Sequence, residues 1–203
     1  MRRDVLAGIA LLAVLAWPVA SHAAALAGRL DLMPAITATM GLALLFLGVI
    51  RATRVGVRIA LVLAMVAVAA TWALAPRVLL FVAPAAITAA VGAWFAVSLA
   101  PEHEPRVATY ARREHGGALP ADVARYARRL TLAWALLLFA SAAASLLLAA
   151  LAPVTVWSAY ANLGSYAIIA AFFVAEYLWR RVRFPAQRHA SFLAHLRNVI
   201  DRP

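Results

Sequence analysis

Six apolar stretches alternate with short polar breaks along the chain: Val5–Leu26, Met33–Ile50, Ile59–Ala75, Val78–Leu99, Leu130–Leu151 and Val154–Trp179. Each comes close to the roughly 20 residues that cross a hydrocarbon core as a helix. Lipid offers no hydrogen-bond partner to the backbone, so such stretches must satisfy themselves as helices. The pattern predicts an all-α, polytopic transmembrane helix bundle of about six spans.

The breaks carry their own signals. Arg29 and Asp31 separate the first pair of stretches, and Arg51, Arg54 and Arg58 separate the second from the third. Pro76-Arg77 and Pro153 mark tight turns. The segment from Pro101 to Arg129 reads as the one substantial loop, with Pro120-Ala121-Asp122 starting a helical lead-in to the fifth span. The organisation expected is a four-helix transmembrane part over 1–100, a cytoplasmic loop over 101–129, a transmembrane hairpin over 130–179 and an amphipathic cytoplasmic tail over 180–203.

Arginine placement gives the orientation. Two arginines precede the first stretch, three lie in the 51–58 break, six in the 101–129 segment and six in the tail. The opposite side holds only Arg29 and Arg77. Cationic residues stay on the cytoplasmic side, so 17 against two puts both termini in the cytoplasm. A rival exists for the first stretch. Arg2-Arg3, the apolar run and Ser21-His22-Ala23-Ala24-Ala25 also resemble a signal peptide with a small-residue cleavage site. The run continues past that site to Leu26, which favours a retained helix.

Composition sharpens this picture. Of 203 residues, 66% are hydrophobic and 13% charged, and mean hydropathy is +0.88. A soluble domain averages about 45–50% apolar residues, so lipid is the natural solvent. All 19 cations are arginine, which together with the alanine content points to a bacterial source and its inner membrane. The net charge is +11. Because the arginines flank apolar stretches, the expected partner is the anionic membrane surface and not nucleic acid. Cysteine is absent, which excludes disulfides, Cys-ligated metals and a thiol nucleophile.

Candidate chemistry is sparse. Glu176 is the one acidic residue inside an apolar span, and a charge in a membrane is a functional candidate. It lies near the cytoplasmic end beside Tyr177 and Trp179, and Arg180 follows at the spacing of a helical ion pair. Asn162, Tyr166, Phe173 and Glu176 fall near one face, since 14 residues turn a helix to about 320°. The stripe Asn162, Tyr166, Glu176, Arg180 reads either as interhelical glue or as a substrate path. Arg125, Arg128, Arg129, Arg181, Arg183 and Arg188 are candidate contacts for anionic lipid or a partner. Ser141, Ser145 and Ala149, four apart, read as a packing seam. In the tail, Phe192, Leu193, Leu196, Val199 and Ile200 form the apolar side of an amphipathic helix that rests on the membrane or docks a soluble partner. His103 between Glu102 and Glu104 is a poor metal site, because adjacent side chains in an extended segment point apart. His189 and His195 fall on opposing helix faces. No zinc-protease motif, nucleophile elbow, phosphate loop or dinucleotide fingerprint is present. No catalytic residue, metal ligand or cofactor is assigned.

The C-terminal third carries a resemblance. Trp157-Ser158-Ala159-Tyr160-Ala161-Asn162, Ala175-Glu176-Tyr177-Leu178-Trp179-Arg180-Arg181, Phe184-Pro185 and His189-Ala190-Ser191-Phe192 resemble a bacterial membrane protein family encoded in aryl polyene and xanthomonadin-type pigment gene clusters. The match covers roughly residues 125–200. It implies a role near polyene lipid synthesis or export, with acyl carriers or acyl-handling enzymes as partners at the cytoplasmic face. Members of that family are sometimes labelled ketosynthase. A condensing enzyme holds its acyl group on a cysteine thioester, and this chain has no cysteine. The expectation is a non-catalytic membrane component. The alternatives are a small transporter or lipid-translocation subunit using the stripe on the sixth helix, and a membrane enzyme acting on lipid-linked acyl chains.

Overall fold

Helix follows helix through residues 16–114 and 119–183, the parts of the chain that the computed structural model describes. Among these residues there is no strand. The helices are α1 (16–26), α2 (Leu32–Arg51), α3 (Val55–Leu74), α4 (Pro76–Val97), α5 (Arg106–Glu114), α6 (Ala121–Leu151), α7 (Val154–Ala159) and α8 (Ser165–Arg183). A π-helical turn, Tyr160–Gly164, joins the last two. Five segments are long and apolar enough to cross a bilayer: α2, α3, α4, α6 and Val154–Arg183. They make the chain a multi-pass membrane protein. Of the first apolar stretch, residues 16–26 are helical and the remainder lies outside the described residues.

The helix ends have local causes. Gly28, at φ +70°, closes α1. Its amide bonds the Ala25 carbonyl at 3.1 Å and the Arg29 amide bonds that of Ala24 at 2.9 Å. This is the left-handed C-terminal cap that glycine adopts without strain. Arg58 does not sit in the break where the sequence pattern places it. It joins the first turn of α3, and its Nε donates to the Ala52 carbonyl at 2.7 Å, closing the end of α2. Pro76 opens α4 at the position where its missing N–H costs nothing.

Contacts divide the chain into two units, with boundaries inside α4, α6 and α8. The first runs to Ala86 and adds Ala143–Tyr166; the second comprises Ile87–Ala142 and the chain from Ala167. The core of the first unit gathers Ala24, Ala25, Met33, Leu80, Trp157 and Ala161, flanked by Phe81, Leu148, Ala149 and Val154. Trp157 is 1% exposed and meets Phe81 edge-on at 4.7 Å. Its indole N–H donates to Ser145 Oγ at 3.3 Å. The expected seam is thus buried at Ser141 and Ser145, with Ala149 against the core. In the same unit α3 packs on α2 and buries no residue of its own, leaving its apolar side chains open to lipid.

The second unit is tied by aromatic rings. Trp134 lies edge-on to Phe172 at 4.7 Å, and Phe95 connects Trp134 to Trp94. Gly92 brings α4 close to α6: a Cβ there would lie 3.2 Å from Leu138 Cβ and 3.4 Å from the Ala135 carbonyl. Part of the segment read as a loop is the helix α5. Its Ala108 and Ala111 are buried, and Ala111 forms a small core with Leu119, Val123 and Tyr126.

Candidate functional site

Burial places the sequence-derived candidates in two separate clusters. Glu176 belongs to the second unit. It is 7% exposed, and Arg180 Nε lies 3.4 Å from its Oε1, one helical turn on. The Tyr126 phenol, on α6, faces the same carboxylate. This contact sets the start of α6 beside the end of α8. It therefore brings together two arginine groups far apart in sequence: Arg125, Arg128 and Arg129, all exposed, and Arg181 and Arg183, also exposed. Arg181 lies over the Tyr177 ring at 5.8 Å.

Asn162 belongs to the first unit, in the π turn. Its Nδ2 donates to the Ser158 carbonyl at 3.0 Å and to Ser158 Oγ at 2.9 Å. Ser158 is 0% exposed and Asn162 3%. His22 Nδ1, from α1, lies 3.2 Å from the same hydroxyl oxygen. The turn and the cluster explain one another. The Ser165 amide bonds the Tyr160 carbonyl five residues back, the π spacing. The Asn162 side chain caps the Ser158 carbonyl just ahead of that turn. Tyr166 is 50% exposed and stands apart from this hydrogen-bonded group.

Chemically, both clusters are consumed by their own members. Glu176 finds a cation and a phenol, and Asn162 a hydroxyl and a carbonyl. Glu104 turns to Arg112, at 2.7 Å, and not to His103. Among the described residues no group of three His, Asp or Glu side chains could share a metal ion. Arg188 and the amphipathic tail lie outside the described residues. In the α1–α2 turn, Arg29 and Asp31 pair at 3.0 Å. The hydrogen bond from Arg29 holds the Asp31 carboxyl below its ordinary range and that from Arg29 to Asp31 raises the guanidinium above its own.

Sequence reasoning paired Glu176 with Arg180 correctly from their spacing, but it did not find Tyr126, His22 or Ser158. The partners lie 50 and 136 residues away from Glu176 and Ser158 respectively, so no local periodicity connects them. The usable signals were chemical: a histidine in an otherwise apolar stretch, and a tyrosine between arginines at a helix start. No protein-family model, curated protein or solved structure matches the chain.

Proposed function

We propose that this protein is a non-catalytic, six-span component of the bacterial inner membrane, with both termini in the cytoplasm. It serves aryl polyene pigment-lipid synthesis or export by organising acyl-handling enzymes at the cytoplasmic face or passing the lipid product on. The observation that carries the reading is how polar groups are spent. Asn162 and Glu176, the candidates for chemistry within the spans, are held by partners in the chain. Exposed cations meanwhile gather where α6 starts and α8 ends, a surface suited to acidic carrier proteins and anionic headgroups. The pigment role is supported by the resemblance of the C-terminal third. Retention of the first span is supported by the burial of Ser21, Ala24 and Ala25, three of the four small residues of the cleavage-like pattern.

Two experiments test this. The natural absence of cysteine allows single-cysteine topology mapping. Thr53→Cys should react with a membrane-impermeant thiol reagent only after the cell is opened, and Ala27→Cys in intact spheroplasts. The reverse pattern removes the orientation. For function, deletion of 184–203, or Arg125, Arg128, Arg129, Arg181 and Arg183 replaced together by Gln, should release acyl carrier or acyltransferase from the membrane and lower polyene absorbance. Normal recruitment and pigment, at normal protein levels, would remove the docking role. Loss of pigment in Glu176→Gln alone, with recruitment intact, would instead favour the transporter.

A further inference from the structure

Arg106 stands in a different state from the described arginines held by a carboxylate or a carbonyl. Arg112 is paired with Glu104, Arg180 with Glu176 and Arg29 with Asp31. Arg128 donates to the Leu99 carbonyl at 2.8 Å, and Arg58 to that of Ala52. Arg106 instead lies over the Trp94 ring, its guanidinium carbon 4.3 Å from the ring centroid. Its Nε–H is sealed from solvent and has no hydrogen-bond partner among the described residues. A guanidinium carries five donors and a full charge. A buried donor without an acceptor needs an explanation, and here a cation has been partly desolvated with no described carboxylate to balance it.

The surroundings hold that side chain in place. The Arg106 amide, first of α5, donates to Ser98 Oγ at 3.1 Å, and the Ser98 hydroxyl donates to the Phe95 carbonyl. The next amide, of Val107, donates to Thr131 Oγ1 at 3.2 Å. Ser98 is 2% exposed and Thr131 0%. The backbone donors at the start of α5 are thus already spent on buried hydroxyls, and the fixed backbone sets the guanidinium over the ring. Trp94 itself is 45% exposed, on a span whose neighbours are lipid. A tryptophan near the end of a span belongs to the headgroup level. The terminal nitrogens, unlike Nε, are not sealed from solvent, and they are the donors a guanidinium offers to oxygens beyond the ring.

We propose that Arg106 on Trp94 is a binding site for the phosphate of an anionic phospholipid headgroup. Arg128, tied down at the adjoining end of α4, adds positive field. The occupant is a lipid and not free phosphate, because the site stands where a span leaves the bilayer and one wall of it is an exposed indole. The inference rests on the placement in a membrane, not on the pigment role, and stands if that role fails.

The test uses the full-length protein in zwitterionic nanodiscs. Native mass spectrometry counts bound phosphatidylglycerol and cardiolipin against phosphatidylcholine, and tryptophan emission follows a titration of each lipid. Wild type should retain anionic lipid preferentially. Arg106→Gln should weaken that retention about five- to tenfold, the effect of one surface cation with a charge-assisted hydrogen bond, while helical content is unchanged. Trp94→Leu should give a smaller loss, and Arg54→Gln, on an exposed arginine away from the site, no loss. Absence of lipid preference in wild type overturns the proposal even if Arg106→Gln fails to fold. Retention in folded Arg106→Gln equal to wild type overturns it as well. A response to inorganic phosphate as strong as the response to the lipid, and equally dependent on Arg106, overturns the choice of a lipid.

Discussion

In the first unit the buried polar side chains are hydroxyls and an amide: Ser158 and Asn162 close on one another, with His22 beside the same hydroxyl. In the second, beside the buried hydroxyls of Ser98, Thr131 and Ser141, a charged group is buried as well: Glu176, with Arg180 at 3.4 Å and the Tyr126 phenol near it. The difference follows from what each arrangement costs. A neutral amide in the membrane needs one or two hydrogen bonds, and a π turn supplies them within four residues. A carboxylate needs a counter-charge, and a pair that loses one member leaves an uncompensated ion in a poor solvent. The charged cluster accordingly sits in the last turns of α8, where Arg180 is still 17% exposed and can reach the headgroups. Packing differs in the same sense. Gly41 and Gly48 in the first unit face side-chain ends of Val68 and Leu61, at 3.8 and 3.3 Å, whereas Gly92 in the second faces a Cβ and a carbonyl.

The sharpest way to break the comparison is to remove one charge. Arg180→Leu leaves Glu176 buried beside a phenol, and unfolding in mixed detergent micelles should show a loss of roughly 3–5 kcal/mol. Glu176→Leu combined with Arg180→Leu should recover most of it, because the cost lies in the orphaned ion and not in the lost attraction. A double variant as unstable as the single one would show that the pair itself holds α8 in place. The packing contrast comes next. Gly92→Leu drives a side chain into Leu138 and the Ala135 carbonyl, for a loss of about 1–3 kcal/mol. Gly41→Leu has only Val68 Cγ1 to displace and should cost less. Equal losses would erase the distinction between the two helix pairs.

The neutral cluster should respond more gently. Asn162→Ala removes the two hydrogen bonds to Ser158, and measured values for such bonds between membrane helices are about 1 kcal/mol. The variant should also let the π turn relax, since the Ser158 carbonyl is then open to an ordinary helical amide. Carbonyl-labelled infrared spectra or amide exchange at 160–165 would report that change. A loss as large as that of Arg180→Leu would erase the contrast between the two clusters.

How much of this the sequence disclosed depends on the range of the interaction. The spans at α2, α3, α4 and α6 were legible because hydropathy and arginine breaks are local properties, and the Glu176–Arg180 pair because four residues make one helical turn. Helix α5 was not legible. Nine residues between Pro105 and a second break carry few apolar positions, and Ala111 becomes core only because Val123 and Tyr126 return to cover it. The sixth stretch reads as one continuous helix, and its π turn escapes because a single side chain, Asn162, redirects one carbonyl. The stripe from Asn162 to Arg180 rested on unbroken 3.6-residue periodicity, and the π turn interrupts that periodicity at its first member. Arg106 over Trp94 is invisible for the same reason as Tyr126: its partner is on another helix.

The smallest effect belongs to Arg29 and Asp31, a charged pair that is exposed, at 58% and 64% of the side-chain surfaces. It tests whether charge alone, without burial, matters in this protein. The hydrogen bond from Arg29 lowers the Asp31 carboxyl. Its contribution to stability is then present above the unfolded carboxylate range, near ~4, and is lost as pH falls through the lower folded value. Water screens the pair on all sides, so the contribution should be near the bottom of the range for surface pairs. Asp31→Asn should leave the unfolding midpoint at pH 7 within error of wild type, and the two should stay together down to pH 5. A clear drop at neutral pH would mean that the Gly28 turn depends on this pair to hold α1 against α2. The contrast between buried and exposed charge would then give way to one between charges that fix a turn and charges that do not.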